Sequence, residues 1–177
     1  MFKYLIYIII NCGFILQGCT QNATQVKTSN FIESKAFDEK IKSYLDFSIP
    51  IISVDSLHKN YQNFTVLDAR EKSEYNVSHL PNAFYFGYKK PDYSILQNLD
   101  NKKPVVLYCS IGYRSEEMAK KLRAKGFDVL NLYGSIFEWV NQGYPLEKNS
   151  NLSTKDIHGY DKNWSQWITN KSYNITY

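Results

Sequence analysis

Residues 104–117, with the sequence PVVLYCSIGYRSEE, decide the fold of this chain. Residues 105–108 form a continuous apolar run, which is typical of a strand whose two faces are both covered. Residues 109–114 form a short loop, and the pattern that follows predicts a helix over residues 115–125 with Ser115 as its N-cap. A buried strand, a short loop and a helix in this order indicate a parallel α/β fold.

Short apolar strands and helical stretches alternate on both sides of this segment. Further strands are predicted at residues 51–54, 65–67, 83–85 and 129–132. Further helical segments are predicted at residues 55–61, capped by Asp55, and at 71–75, 95–99 and 136–140. Because strands that alternate with helices pair in parallel, we expect a three-layer α/β domain over residues 51–147, with a five-stranded parallel sheet flanked by helices.

Two regions beside this domain have a different character. Phe37, Ile41 and Tyr44 share one face of a predicted helix, so we expect residues 33–50 to pack on the domain as an N-terminal helical extension. Residues 148–177 are mostly polar but contain two tryptophans three positions apart. We expect this polar and aromatic segment to form a C-terminal strap against the domain.

The chain begins with MFKYLIYIIINCGFILQGC, which has the layout of a secretory signal peptide: a positive start, an apolar run and small residues at the end. The apolar run is too short to span a bilayer, which needs about 20 residues. Residues 16–19, LQGC, resemble the lipobox of bacterial lipoproteins. The resemblance implies a signal peptide over residues 1–18 and a lipid such as palmitate on Cys19.

A lipid on Cys19 would determine the location of the protein. We expect it to be anchored to a bacterial membrane in the cell envelope, facing the periplasm or the outside. Residues 19–32 are polar and lack periodicity, so they are expected to act as a tether between the membrane and the domain.

Composition and cysteine positions argue against several classes of function. Lys and Arg number 21 against 17 Asp and Glu, without a long basic block, so we expect no nucleic-acid partner. Cleavage of the signal peptide and lipid on Cys19 would remove Cys12 and block Cys19, which leaves Cys109 as the single free thiol. No Cys and His spacing suits a metal ion, so no metal site is expected.

The loop after the central strand places Cys109 in a chemically useful position. The first residue after a buried strand lies in the crevice at the carboxyl ends of the sheet, where ligands bind in such folds. Gly112 allows backbone amides to close around the sulfur, while the helix N-terminus and Arg114 add positive charge. We therefore expect a lowered pKa of Cys109, a thiolate nucleophile and a cradle for a small anion. Glu116 and Glu117 are expected to face solvent.

Three stretches of the sequence resemble the signatures of the rhodanese family. They are LDAR at 67–70 with Glu74-Tyr75 and SHLPNA at 78–83, VLYCSIGYRS at 106–115, and NLYG at 131–134 with Trp139 and GYP at 143–145. The resemblance extends over residues 51–146. It implies a rhodanese-like fold and a sulfurtransferase that moves a sulfane sulfur from a donor such as thiosulfate to cyanide or a thiol.

The resemblance also implies roles for individual residues. Cys109 would hold the sulfur as a persulfide, and the Arg114 guanidinium would bind the small anionic donor. The amides that would cradle the persulfide are those of Ser110, Ile111, Gly112, Tyr113 and Arg114. For Asp68 and Arg70, beside the crevice, a structural ion pair or loop brace is favoured over a catalytic role. No cofactor is implied.

Three other functions stay open at this point. A non-catalytic binding or persulfide-sensing module would keep the same fold. A cysteine phosphatase would use a C-x5-R loop, whereas Cys109 and Arg114 form C-x4-R, a smaller ring that suits a sulfur atom better than a phosphoryl group. A thiol-redox protein would need a second cysteine near Cys109 for an internal dithiol cycle.

Overall fold

A computed structural model of the protein describes residues 31–99, 102–149 and 152–177. Within these residues, five strands form one parallel sheet, so the predicted sheet is confirmed. The strands are β1 (Ile51–Ile52), β2 (Thr65–Asp68), β3 (Phe84–Tyr85), β4 (Val105–Tyr108) and β5 (Val129–Leu132). Their order across the sheet is β1-β5-β4-β2-β3, which places β4 in the centre.

Strand β4 is buried along its whole length, as its continuous apolar run predicts. Val106 and Tyr108 belong to one hydrophobic core, whereas Val105 and Leu107 belong to the other. Because successive side chains of a strand point to opposite faces, this one strand contributes to both cores. Cys109 is the first residue after β4 and lies at the carboxyl edge of the sheet.

Helices cover both faces of the sheet. The helices of the described chain are α1 (Lys35–Lys42), α2 (Val54–Lys59), α3 (Lys72–Val77), α4 (Tyr113–Arg123), α5 (Ser135–Asn141) and α6 (Lys162–Ser165). Helix α4 contributes Met118 and Leu122 to one core, and α5 contributes Phe137 and Trp139 to the other. The three-layer arrangement expected from the strand and helix alternation is therefore present.

Helix α4 begins two residues earlier than the sequence predicts. Its N-cap is Gly112, not Ser115, and Gly112 has a φ of 121°, which a residue without a Cβ adopts at little cost. The Ser115 hydroxyl instead donates toward the Gly112 carbonyl, at 3.0 Å, and Asn131 Oδ1, at 2.7 Å. The earlier start places Tyr113 and Arg114 in the first turn of the helix.

Two other boundaries also differ from the predictions. Ser53, not Asp55, caps α2, because its Oγ accepts a hydrogen bond from the Ser56 N–H at 3.1 Å. Strand β1 therefore ends at Ile52. The helix expected at residues 95–99 is a 3₁₀ segment, Tyr93–Asn98.

The regions before and after the domain pack on the same core as α5 and contact each other. In the C-terminal region, β6 (Leu146–Lys148) pairs with β7 (Leu152–Thr154), and β8 (Asp156–His158) pairs with β9 (Asn174–Thr176). Phe37 of α1 stacks on Trp167, with ring centroids 5.4 Å apart. The Tyr133 hydroxyl of the domain donates to Asp38 Oδ1 at 2.7 Å. Both flanking regions are thus held against the domain.

The predicted signal peptide, Cys19 and all but the last two residues of the predicted tether lie outside the described residues. Cleavage and lipidation therefore stay predictions. Among the residues that the structure describes, no helix combines the length and the apolar character of a membrane span.

Candidate active site

Cys109 directly follows β4, and its side chain is buried. Its backbone N–H donates to Ser135 Oγ at 3.1 Å, and the Ser135 hydroxyl donates to the Leu132 carbonyl at 3.0 Å. Ser135 begins α5 and has a positive φ of 50°. The turn between β5 and α5 therefore fixes the backbone of Cys109 from the neighbouring strand.

Gly112 supplies a hydrogen bond to the sulfur. Its N–H donates to Cys109 Sγ at 3.2 Å, and its carbonyl accepts hydrogen bonds from Asn131 Nδ2 and the Ser115 hydroxyl, both at 3.0 Å. With a φ of 121°, Gly112 turns its amide inward in a conformation that other residues rarely adopt. Hydrogen bonds through Gly112 therefore fix the loop to β5 and α4 and turn one amide toward the sulfur.

The pKa of Cys109 lies below its usual value. Burial is the largest single effect and raises the pKa, because it disfavours the charged thiolate. The positive charge of Arg114 and hydrogen bonds from Ser115 and Gly112 act in the opposite direction and together prevail. The site thus favours the thiolate, in the direction that the loop sequence led us to expect.

Arg114 is engaged by an acidic partner that the sequence did not indicate. Its Nη1 donates to Glu74 Oε2 at 2.6 Å, and its Nη2 donates to Glu74 Oε1 at 2.8 Å and to Ser110 Oγ at 2.9 Å. Burial is the largest single effect and raises the pKa of Glu74. The hydrogen bonds and charge of Arg114, the charge of Arg70 and a hydrogen bond from the Glu71 N–H together prevail, and the pKa falls to about 2. Glu74 accepts one hydrogen bond from each Nη atom, and the binding of an anionic donor by Arg114 stays a prediction.

Asp68 and Arg70 form a fully buried ion pair at 2.6 Å. Arg70 Nη2 also donates to the Ser78 carbonyl at 2.6 Å, and the Tyr108 hydroxyl donates to Asp68 Oδ2 at 2.6 Å. The pair thus braces the end of β2 against β4 and the segment after α3. Neither residue lines the cavity at Cys109.

Glu116 does not face solvent, contrary to the expectation from its helical position. Its side chain is buried, and Oε2 accepts a hydrogen bond from the Asp46 N–H at 3.1 Å. Burial raises the pKa of Glu116. The residue therefore joins α4 to the segment after α1, an interaction across 70 positions that a helical pattern does not reveal. Glu117 is half-buried and pairs with Lys120 at 2.7 Å.

A cavity of about 270 Å³ opens above the loop. Its lining includes five residues of the loop and the start of α4: Cys109, Ser110, Ile111, Tyr113 and Arg114. The other lining residues are Tyr44, Tyr88, Tyr160 and Trp164, which sequence reasoning did not assign to a site. Among the described residues, no group of three His, Cys, Asp or Glu side chains is placed to hold a metal ion.

The family model of the Rhodanese-like domain matches residues 53–142 of the 177. This chain belongs to the rhodanese-like family. It is 32% identical over 98 residues to thiosulfate:glutathione sulfurtransferase of Saccharomyces cerevisiae, a match that covers 48% of this chain and 70% of that protein. It is 29% identical over 92 residues to a thiosulfate sulfurtransferase of Coxiella burnetii, which covers 51% of this chain and 84% of that protein.

Solved structures share the fold of this rhodanese-like chain. The crystal structure of a Bacillus halodurans protein has a TM-score of 0.53 at 23% identity, covering 66% of this chain and 88% of that one. A thiosulfate sulfurtransferase from Pseudomonas aeruginosa has a TM-score of 0.53 at 21% identity, covering 68% of this chain and 24% of that one. The family match excludes Tyr44, Tyr160 and Trp164, so part of the cavity wall is an addition to the matched domain.

Proposed function

We propose that this protein is a sulfurtransferase that carries a sulfane sulfur as a persulfide on Cys109. The observation that carries the proposal is a buried thiol at the carboxyl end of β4, with a lowered pKa and the Gly112 N–H donating to its sulfur at 3.2 Å. The names of two relatives at about 30% identity, a thiosulfate:glutathione sulfurtransferase and a thiosulfate sulfurtransferase, support it.

The proposed transfer has two steps, which balance without an added oxidant or reductant. The Cys109 thiolate attacks the outer sulfur of thiosulfate, a new S–S bond forms, and sulfite leaves with the electron pair of the broken S–S bond. A thiolate or cyanide then attacks the outer sulfur of the persulfide. The acceptor leaves as a persulfide or as thiocyanate, and Cys109 returns to its thiolate.

The loop would stabilise the charge of both forms. In this proposal the amides of residues 110–114 would cradle the outer sulfur of the persulfide, and the Gly112 N–H, which donates to Cys109 Sγ at 3.2 Å, supports this arrangement. Arg114, held by Glu74, contributes its positive charge to the thiolate from the first turn of α4. In this proposal, the donors stabilise a negative charge that stays on sulfur throughout.

Intact mass spectrometry of the purified full chain after incubation with thiosulfate tests the proposal directly. We expect a mass increase of one sulfur atom, which cyanide then removes as thiocyanate. Cys109→Ala should fold normally by circular dichroism and gain no sulfur. A wild-type chain that gains no sulfur, or a Cys109→Ala chain that still transfers it, would overturn the proposed enzyme.

A persulfide-sensing module is the second candidate, since a family fold alone does not establish catalysis. It would take up one sulfur on Cys109 but would not pass it to cyanide or a thiol at a rate above the uncatalysed one. The same mass experiment, followed over time after addition of acceptor, separates a sensor from a transferase.

The geometry does not favour a cysteine phosphatase. Such an enzyme would use a C-x5-R loop, which is one residue longer than the C-x4-R loop formed by Cys109 and Arg114. In this chain both Nη atoms of Arg114 contact Glu74. We expect no hydrolysis of an aryl phosphate under conditions in which thiosulfate loads Cys109.

We also propose that the protein is a lipid-anchored protein of the bacterial cell envelope. Residues 16–19, LQGC, support this proposal. Cys19→Ala should abolish incorporation of labelled palmitate and release the protein from the membrane fraction, whereas the matched control Cys12→Ala should change neither. Membrane association and labelling of Cys19→Ala equal to those of the wild type would overturn the proposed anchor.

A further inference from the structure

Aromatic residues form most of the lining of the cavity above Cys109. Its lining includes Tyr44, Tyr88, Tyr113, Tyr160 and Trp164. The volume of about 270 Å³ is much larger than a thiosulfate ion or a cyanide ion requires. The cavity is therefore built for a larger ligand than the small anions that serve as sulfurtransferase probes.

Three of these rings, those of Tyr44, Tyr160 and Trp164, come from outside the matched rhodanese-like domain, and Tyr44 and Trp164 pack against each other. Tyr44 follows α1, and its ring lies 5.2 Å from the Trp164 ring and 6.3 Å from the Tyr113 ring, in edge-to-face geometry. Lys40 Nζ lies 5.0 Å from the Tyr44 ring centroid and 5.5 Å from that of Trp164. The wall that the two flanking regions build is thus preformed, which lowers the entropic cost of binding an apolar group.

Tyr160 is held over the site by its backbone. Its φ of 66° is unusual for a bulky residue, and its N–H donates to His158 Nδ1 at 3.0 Å. In this conformation its ring lies 5.1 Å from the Arg114 guanidinium carbon. Backbone strain of this kind concentrates at functional sites, and here it places an aromatic ring over the cation next to Cys109.

The charges of the cavity also disfavour an inorganic dianion. Among the described residues that line it, Arg114 is the one cation, and Glu74 balances its charge through two hydrogen bonds. The Tyr160 ring, which also lines the cavity, lies 5.1 Å from the guanidinium carbon. An uncharged group that buries apolar surface against the rings therefore gains more from this cavity than a strongly hydrated anion does.

We propose that the acceptor is a small organic thiol with an aromatic or branched apolar substituent, an inference that rests on the proposed sulfurtransferase function. Its substituent packs between Tyr44, Tyr160 and Trp164 while its sulfur faces Cys109. After the thiol loses its proton to solvent, the thiolate attacks the outer sulfur of the persulfide. The S–S bond at Cys109 breaks, the Cys109 thiolate leaves with the electron pair, and the organic persulfide is released.

Single-turnover transfer to matched thiols tests this inference. Full-length protein is loaded with thiosulfate, and mass spectrometry follows the loss of the persulfide with benzyl mercaptan, with 2-mercaptoethanol and with glutathione. The first two are alkyl thiols of similar acidity, so a rate difference reports on the substituent. We expect the second-order rate constant with benzyl mercaptan to exceed that with 2-mercaptoethanol by about tenfold or more, and glutathione to be slower than benzyl mercaptan.

Variants of the aromatic cavity residues test whether these residues cause the preference for benzyl mercaptan. Tyr160→Ala and Trp164→Ala should each lower the ratio of benzyl mercaptan to 2-mercaptoethanol rates by about threefold to tenfold. Trp164→Phe should recover most of the ratio. Phe84→Ala, which removes an exposed ring from β3, outside the cavity lining, is the matched control and should leave the ratio unchanged.

Two negative results have different meanings. A persulfide that loads normally but reacts with the two matched thiols at rates within about twofold would overturn the inference and leave the proposed sulfurtransferase intact. A ratio that Tyr160→Ala and Trp164→Ala do not change would overturn it as well. A chain that forms no persulfide would overturn the proposed function, and the inference with it.

Discussion

The ion pair between Glu74 and Arg114 joins α3 to the first turn of α4, 40 positions later. Its partners are well buried, with side-chain exposures of 4% for Glu74 and 12% for Arg114. Glu74→Gln keeps the shape of the side chain but removes its charge, and it turns an NH₂ group toward a guanidinium that can only donate. We therefore predict that this variant is substantially less stable at neutral pH.

The expected loss follows from the pKa of Glu74, which falls from 4.5 to about 2 in the folded protein. Since one pKa unit corresponds to 1.36 kcal/mol, the charged form contributes about 3 kcal/mol to the free energy of unfolding. The value agrees with the roughly 3–5 kcal/mol lost when one partner of a buried pair is removed. Because the pKa is depressed on folding, this contribution is complete above pH 4.5 and disappears as the pH falls toward 2.

Urea unfolding, followed by far-UV circular dichroism and tryptophan fluorescence over a series of pH values, measures this contribution. The matched control is Asp55→Asn, which removes an exposed carboxylate from an ion pair with Lys59 on the surface of α2. We expect no measurable change in the control, because solvent screens such pairs. The difference between wild type and Glu74→Gln should begin to shrink below about pH 4.5.

Two outcomes would refute this reasoning. The first is a loss below about 1 kcal/mol at neutral pH, which would mean that solvent or the Ser110 hydroxyl replaces the carboxylate. The second is a loss that does not depend on pH in the acid range, which would assign the effect of Glu74→Gln to packing and not to charge.

Three further predictions concern the site and its support. Arg114→Lys replaces a planar fork by a point charge, so the KM for thiosulfate should rise about tenfold; an unchanged KM in steady-state assays would contradict the proposed role. Because the thiolate of Cys109 is the reactive form and its pKa is lowered, the kcat/KM for thiosulfate should rise with pH and level off below the usual thiol pKa of 9.0; a rate still rising above that pH would exclude the shift. Asp68→Asn leaves the Arg70 guanidinium buried without its counter-charge, so it should lower the free energy of unfolding by about 3–5 kcal/mol in urea titrations, and a loss below about 1 kcal/mol would argue against a structural pair.

The sheet could be predicted from the sequence because its signals are local. The run at residues 105–108 has no polar interruption, and the structure buries it on both faces. The loop from Cys109 to Arg114 was also recognisable, since a glycine and a charged residue follow the strand within six positions. The sequence places the start of α4 too late, because serine is a preferred N-cap residue and Ser115 fits that pattern. In the structure the conformation of Gly112 decides where the helix begins.

The partners of the loop could not be predicted, because they come from distant parts of the chain. Ser135, which binds the Cys109 N–H, lies 26 positions away, and Glu74 lies 40 positions before Arg114. Glu74 was recognised as part of a helical segment and of the first family signature, but neither pattern indicates that its carboxylate pairs with Arg114. Tyr160 and Trp164 were assigned to a strap, and only tertiary packing brings them to the cavity at Cys109.

The electrostatics of the loop and the shape of the cavity both favour an organic acceptor over an inorganic dianion. Glu74 stays ionised far below neutral pH, so its pair with Arg114 carries no net charge, and the lowered pKa of Cys109 favours the negatively charged thiolate. A dianionic donor therefore gains little long-range attraction from the site, and its binding depends on local donors such as the Gly112 N–H and the Arg114 guanidinium. An organic acceptor carries at most one negative charge, on its attacking sulfur, and gains the contact of three aromatic rings. The flanking regions thus add aromatic surface to the Cys109 site, and this surface favours apolar ligands.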